Sequence, residues 1–298
     1  MTNTAGESSP ANNALAYTAV PALFTTPIST AAPFIRWAAP APAASVAALR
    51  VTLAALVLTA LAPRAWRLVA ALPRRQQLRI VAAGLLFATH LGVWIASLAF
   101  TSTAASVALV ATNPVFAALL SPLTGDRVGA RAWLGIGVAG LGCALLAGGD
   151  WRAGGEALLA DLLALAGAAT AAGYLAVGRS LRAALPLTAY LAVVNQVAAL
   201  GLLVAALLAG APLLALAPHS YLAIAGGAVI ASLGGHTLLN LAVRSTPTHL
   251  VALAILGEPV GATLLTWALF AEVPPAHAAL GGAVILGGIV VGITGRRR

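Results

Sequence analysis

Polar side chains recur at helical spacing inside one apolar stretch of the chain. Four of them follow steps of four, three and four residues, which a helix places on one face: His90, Trp94, Ser97 and Thr101. An imidazole, an indole and two hydroxyls suit a polar cavity better than lipid. In a cavity the indole could stack against a substrate and the imidazole could hydrogen-bond to it. Alternatively, these side chains join neighbouring helices, as polar groups often do in membrane bundles.

A second polar set follows about 145 residues later, where Ser232, His236 and Asn240 are spaced by four. Two histidines near one midplane could bind a carboxylate when protonated or carry protons, or they could be neutral and hydrogen-bonded to backbone. Tyr174, one turn after Thr170, is a further candidate for the same cavity. Two histidines on different helices do not make a metal site, so neither a metal nor another cofactor is predicted.

Glu258 is the one acidic residue deep inside an apolar stretch. Burying a carboxylate in hydrocarbon costs about 2.5–3.5 kcal/mol, so this group must be protonated, paired or facing water. Pro259 follows it and cannot donate an N–H, which bends a helix. The pair could couple protons or gate at a hinge, or Glu258 could simply hydrogen-bond the interrupted helix. Asn113-Pro114 repeats the geometry with a neutral side chain.

The composition defines the elements that must hold these residues. Of 298 residues, 61% are hydrophobic and 8% are charged, whereas soluble domains carry roughly 25% charged residues. Too few charges remain to cover a water-exposed surface, and disordered chains are charge-rich. All 16 basic residues are arginine, which excludes a P-loop ATPase and a lysine Schiff base. The single Cys143 cannot form an intramolecular disulfide. The sequence therefore predicts an all-α polytopic membrane protein.

Ten apolar runs of suitable length follow a polar segment, residues 1–13, which we expect to be disordered and cytoplasmic. The predicted spans are 14–35, 43–61, 78–100, 103–121, 132–147, 157–177, 187–208, 221–242, 248–270 and 276–293.

The arginines orient these spans. With a cytoplasmic N-terminus, thirteen arginines lie in cytoplasmic segments and only Arg36 and Arg152 lie outside. This predicts a multi-pass protein of the bacterial inner membrane with both termini in the cytoplasm, and it explains the net charge of +9 without a nucleic-acid partner. Arg50 lies inside the second span, where we expect it to snorkel outward or to pair with an unidentified polar group.

The chain contains an internal repeat. Asn113-Pro114-Val115 matches Glu258-Pro259-Val260 at an offset of 145, and glycines of the fifth span match glycines of the tenth. The repeats would be residues 14–155 and 156–298, with five spans each. An odd number of spans makes the halves enter the membrane in opposite directions, so an inverted 5+5 repeat of ten transmembrane helices is predicted. The glycine faces could serve internal packing or a dimer interface, which leaves both a monomer and a homodimer open.

These features together resemble the EamA-type branch of the drug/metabolite transporter superfamily. The resemblance rests on five-span halves, a proline in each fourth span, an acidic residue in the following loop (Asp126 and Glu272) and a glycine-rich last span. Within that branch, residues 14–295 resemble bacterial aromatic amino acid exporters. Asp126 replaces the commoner glutamate and keeps the charge. The resemblance implies alternating access through a central cavity between the halves.

The expected function is therefore secondary, ATP-independent export of amino acids, aromatic or otherwise apolar, or of related metabolites. Few cations lie inside the spans, which argues against phosphate esters and nucleotide sugars, since these need arginine or lysine clamps. A multidrug or cationic-compound exporter with Glu258 as the cation site is the alternative. An enzyme is disfavoured because G-x-S-x-G and H-E-x-x-H motifs are missing. A structural protein is suggested only by the glycine faces.

Overall fold

The computed structural model of the chain describes residues 25–100, 103–147, 155–181, 183–271, 273–274 and 276–294. In these ranges all regular structure is helical. Several features predicted from the sequence lie outside the described residues: the N-terminal segment 1–13, Thr101, Arg152, Glu272 and the C-terminal arginines.

The described part of the first half contains seven α-helices and one short 3-10 turn, and residues 25–29 before them are also helical. The helices are α1 (Ala31–Trp37), α2 (Ala43–Leu61), α3 (Ala65–Ala70), α4 (Arg74–Ser97), α5 (Thr103–Val110), α6 (Asn113–Leu120) and α7 (Ala130–Ala147), with the 3-10 turn at Ser121–Thr124.

The second half contains seven α-helices and one π-helical segment. They are α8 (Gly155–Ser180), α9 (Leu187–Leu208), α10 (Pro218–Gly227), the π-helix Ala228–His236, α11 (Thr237–Ser245), α12 (Thr248–Ile255), α13 (Glu258–Phe270) and α14 (Ala276–Thr294). The segments from α10 to α11 together correspond to the predicted span 221–242, and α12 and α13 together correspond to the predicted span 248–270.

The helices are long and apolar enough for a membrane protein. Within the described residues, eight segments could cross a bilayer, and Ala130–Leu146 is a shorter apolar helix. Two predicted spans, 43–61 and 187–208, coincide with α2 and α9, because apolar runs bounded by proline and by short polar or glycine-containing segments define a helix from both ends. The prediction of an all-helical polytopic protein is confirmed. The predicted count of ten exceeds these eight by two, since the first span is described only from residue 25 and the fifth is the shorter helix Ala130–Leu146.

The glycines of α7 and α14 pack these two helices tightly together. A methyl group on Gly288 would lie 2.4 Å from the Ala139 nitrogen, and one on Gly135 would lie 2.5 Å from Gly292 Cα. Only glycine permits such a close approach of two backbones. By contrast, Gly137 would meet nothing within 4 Å. Internal packing therefore accounts for the glycines that face the partner helix.

The two halves interleave rather than sit side by side. Helix α2 packs against α9, α6 against α12 and α7 against α14, so that corresponding helices of the two halves meet. Helix α4 packs against α8, and α1 makes the equivalent contact with α10. This arrangement brings α4, α8, the π-helix and the junctions α5–α6 and α12–α13 to the middle of the bundle.

Candidate functional site

A cavity of about 50 Å³ lies in the centre of the bundle, which is room for roughly three to five waters. Its polar and aromatic lining residues are Arg50, His90, Trp94, Asn113, Tyr174, His236 and Glu258, and apolar side chains complete the wall. All of these except Arg50 were predicted from the sequence as cavity, hinge or coupling residues. The other predicted residues, Ser97, Asn240, Pro114 and Pro259, do not line the cavity.

Helix α4 contributes an aromatic surface. The rings of His90 and Trp94 stack with centroids 6.2 Å apart and planes 4° from parallel, as expected for residues one turn apart on one face. His90 Nδ1 lies 2.9 Å from the Gly167 carbonyl oxygen. Because a carbonyl can only accept, Nδ1 donates, and Nε2 of the neutral ring remains as an acceptor. The Trp94 Nε1–H is buried without a partner among the described residues.

Tyr174 of α8 is held in place from two sides. Its ring stacks on Phe87 at 4.8 Å, and its hydroxyl accepts a hydrogen bond from the Asn240 amide. The same amide donates to the His236 carbonyl at 2.7 Å. Asn240 thus lies behind the cavity wall and orients Tyr174. Ser97 also lies behind the wall, where its hydroxyl contacts Ser106 at 2.6 Å and joins α4 to α5.

The π-helix Ala228–His236 brings Ser232 and His236 to the site. Glycines permit close packing around it, because a Cβ on Gly226 would lie 2.5 Å from Phe34 and a Cβ on Gly235 would lie 2.5 Å from Ile28. The chain therefore approaches the first span closely on both sides of the wide turn. Such segments occur frequently at functional sites. Sequence reasoning missed this one, although glycine pairs at 226–227 and 234–235 inside a single span were a signal.

The helix of each fourth span is interrupted for two residues, and a second helix with proline at its second position follows. Helix α5 ends at Val110 and α6 begins at Asn113, while α12 ends at Ile255 and α13 begins at Glu258. Asn113 and Glu258 therefore occupy equivalent first positions, each directly before proline. The start of a helix favours an acidic group such as Glu258. Asn113 donates to the Ala168 carbonyl at 3.2 Å, and its Oδ1 has no partner among the described residues.

Arg50 is the charged residue whose position sequence reasoning could not assign. It is only 2% exposed and lines the cavity, so the expectation that it snorkels outward is wrong, whereas the alternative, that it pairs with a polar group, is confirmed. Its Nε donates to Ser232 Oγ at 2.8 Å, and its Nη1 has no partner among the described residues. The argument from sparse buried cations is corrected as well, since one guanidinium faces the cavity directly.

A second polar cluster lies at the end of the bundle, around Arg179 in the last turn of α8. Its guanidinium binds Asp126 through Nε to Oδ2 at 2.5 Å and Nη2 to Oδ1 at 2.6 Å. Its Nη1 donates to the carbonyls of Val243 and Thr246 at 2.9 and 2.7 Å. Burial alone would raise the pKa of Asp126, but hydrogen bonds from Arg179 and Thr124 and the Arg179 charge lower it below its usual value. Sequence reasoning found Asp126 but not its partner.

No metal centre accompanies either cluster in the part of the chain that the structure describes, where no three histidine, cysteine or acidic side chains group together. The groups available at the cavity are therefore aromatic rings, hydrogen-bonding atoms, one guanidinium and one carboxyl group.

Apolar helices long enough to cross a bilayer define a polytopic membrane protein, and these helices surround a small internal cavity. The chain belongs to the EamA-like transporter family of the drug/metabolite transporter superfamily, whose model matches residues 10–148 and again residues 158–294. The double match shows that the chain contains two copies of the family unit. Membership implies membrane transport of small molecules.

The fold is also found among solved structures. One chain, titled only "Crystal structure of protein", is 19% identical and superposes with a TM-score of 0.79 over 95% of this chain and 99% of its own length. At this identity the likeness shows the fold alone. No curated protein matches this chain.

Proposed function

We propose that the chain is a secondary transporter that exports aromatic or other apolar amino acids, or related metabolites, through the central cavity. The observation that carries the proposal is the composition of the cavity wall. The rings of His90, Trp94 and Tyr174 face the same space as one arginine and one glutamate. Rings provide stacking surface for an apolar side chain, and opposite charges suit a small polar group at its other end.

Alternating access is the mechanism that the cavity size favours. Ligand pockets commonly enclose about 300–1,000 Å³, and this cavity encloses about 50 Å³. The walls must therefore separate before an amino acid can enter. The interruptions before Asn113 and Glu258 and the π-helix are places where half-helices can rock, because their backbone ladders are already broken.

The membrane arrangement that we propose is ten spans in an inverted 5+5 repeat, with both termini in the cytoplasm of a bacterial cell. Contacts between loops at the two ends of the bundle support spans that cross the membrane in alternating directions. At one end, Arg179 joins Asp126 to Thr246, and at the other His219 lies 2.8 Å from the Ala39 carbonyl. The arginine-rich loops fall at the first end, as the positive-inside rule requires for the cytoplasmic side.

Uptake into proteoliposomes tests the proposal. Labelled phenylalanine, tryptophan and leucine, offered with and without a pH gradient, should accumulate above empty liposomes. Trp94→Ala should reduce aromatic uptake about tenfold, since an aromatic pair contributes roughly 0.5–1.5 kcal/mol beyond burial. The matched control is Trp133→Ala on α7, whose side chain is 39% exposed. Equal uptake by the two variants would place Trp94 in packing only.

A multidrug or cationic-compound exporter is the second candidate, favoured by the buried carboxylate of Glu258 at the cavity. Arg50 disfavours it, because a cation would enter beside a fixed positive charge. The same liposomes separate the two candidates when offered ethidium and phenylalanine. Transport of ethidium that depends on Glu258, with no transport of phenylalanine, would replace the amino acid proposal.

A further inference from the structure

Several hydrogen-bonding atoms at the cavity are buried without partners among the described residues. They are Arg50 Nη1, Trp94 Nε1, Asn113 Oδ1 and His236 Nδ1. Buried polar groups are hydrogen-bonded in the great majority of cases, so a cluster of exceptions around one cavity indicates that something else satisfies them there. A ligand or waters that enter the cavity can do so.

The unsatisfied groups differ in kind. Arg50 and Trp94 can only donate, whereas the Asn113 oxygen can only accept. Glu258 adds a carboxyl group to the same wall. Arg50 comes from α2 and Glu258 from the start of α13, and both residues line the cavity. Among the described residues Arg50 forms no ion pair and bonds only the neutral hydroxyl of Ser232. A cationic donor and a carboxyl group thus line one small space without forming an ion pair.

We propose that Arg50 binds the carboxylate of the transported molecule and that Glu258, with Asn113, accepts its ammonium group, so that the site selects zwitterions. The inference rests on the proposed function and adds the group that recognises the substrate. A guanidinium binds carboxylates through two parallel hydrogen bonds, and Nη1 is available for one of them. The rings of His90, Trp94 and Tyr174 then face the substrate side chain.

Other ligand classes fit these charges less well. A phosphate ester would bring two negative charges beside Glu258, and a simple amine would bring its cation beside Arg50. A neutral ligand would leave both charges unpaired. A site built to bind a polar group discriminates strongly against analogues that lack it, because its own buried groups then lose their partners.

Three compounds of one shape test this selectivity by titration calorimetry on the full chain in lipid nanodiscs at pH 7. Phenylalanine carries both charged groups, phenethylamine lacks the carboxylate and 3-phenylpropionate lacks the ammonium. The wild-type protein should bind phenylalanine at least tenfold more tightly than either analogue. Equal binding of all three, or binding of none, would overturn the inference.

Variants assign the selectivity to Arg50. In Arg50→Gln the preference for phenylalanine over phenethylamine should fall from tenfold or more to about twofold, while Arg50→Lys should keep part of it. The preference is a ratio, so a change in the active fraction does not affect it. Arg67→Gln, an exposed arginine on α3, is the control and should keep the wild-type ratio. An unchanged ratio in Arg50→Gln would contradict the assignment. If Arg50→Gln does not fold, the wild-type ratio and Arg50→Lys decide.

Transport measured on the same protein separates this inference from the proposed function. Selective binding of phenylalanine without counterflow in proteoliposomes would refute the transport proposal and leave Arg50 as the carboxylate-binding group. Counterflow of phenylalanine and phenethylamine at equal rates would support transport and refute the assignment of Arg50 as the carboxylate-binding group.

Discussion

Among the described residues two arginines are buried in the bundle, and their hydrogen bonding differs. Arg179, 7% exposed, is bonded to the Asp126 carboxylate and to two backbone carbonyls. Arg50, 2% exposed, has a single hydroxyl partner and an unpaired Nη1 within the described residues. The fold is therefore able to satisfy a buried guanidinium, and at the cavity it does not.

The comparison separates a structural arginine from a functional one. Arg179 joins three connections at one end of the bundle and leaves no donor facing a cavity. Arg50 retains an unpaired donor in a lined space, which costs stability and has value only when a ligand completes it.

The repeat sharpens this difference. The residue 145 positions after Arg50 is Asn195, and the residue 145 positions before Glu258 is Asn113. In each of these two pairs, one half of the chain has an ionisable side chain and the other half has a neutral amide. The Asn195 amide donates to the Leu191 carbonyl in its own helix at 2.9 Å. The two halves therefore differ at these two positions, and the ionisable residue of each pair, Arg50 or Glu258, lines the cavity.

The largest expected effect concerns Arg179. Arg179→Gln should destabilise the protein by about 3 kcal/mol, because it removes one partner of a buried pair and leaves Asp126 unpaired. A lower melting temperature in detergent, relative to the exposed-site variant Arg67→Gln, is the measurement. Wild-type melting of Arg179→Gln would show that its bonds contribute no more than those of Arg50.

Acid should weaken the same cluster. The pKa of Asp126 is lower in the folded chain than in the unfolded one, so its contribution is complete above about pH 5 and is lost as pH falls through the folded value. Asp126→Asn should cost about 1 kcal/mol at pH 7 and should flatten the decline in melting temperature below about pH 4. A variant that keeps the wild-type acid profile would assign the decline to other groups.

The smallest effect is expected at the cavity. Arg50→Gln should change stability by less than about 1 kcal/mol, or increase it, because the variant removes a poorly satisfied buried charge and keeps a hydrogen-bonding group. Melting temperatures of the ligand-free protein check this beside those of Arg179→Gln. A loss as large as that of Arg179→Gln would make Arg50 a structural residue.

Much of the fold and part of the site could be predicted from the sequence. Apolar runs bounded by proline or glycine gave α2 and α9 to the residue, and polar groups that lipid disfavours indicated His90 and Glu258 as cavity residues. These inferences needed only local pattern and the chemistry of the bilayer.

The remaining features depend on distant contacts. Ser232 lies 182 residues from Arg50, and Arg179 lies 53 residues from Asp126, so no local spacing joins them. The glycine pairs at 226–227 and 234–235 indicate a close approach of two helices, but their contacts with Phe34 and Ile28 are also distant in sequence. The shared helical face also placed Ser97 at the cavity, but its hydroxyl contacts Ser106 behind the cavity wall.

Filling the cavity tests most directly whether transport passes through it. Ala171 lines the cavity on α8, and Ala171→Phe should occupy the space that substrate needs. Ala144→Phe, on an exposed position of α7, is the matched control. In proteoliposomes with equal amounts of folded protein, Ala171→Phe should abolish phenylalanine counterflow and Ala144→Phe should retain it. Counterflow at the wild-type rate in Ala171→Phe would show that the cavity is not the transport site.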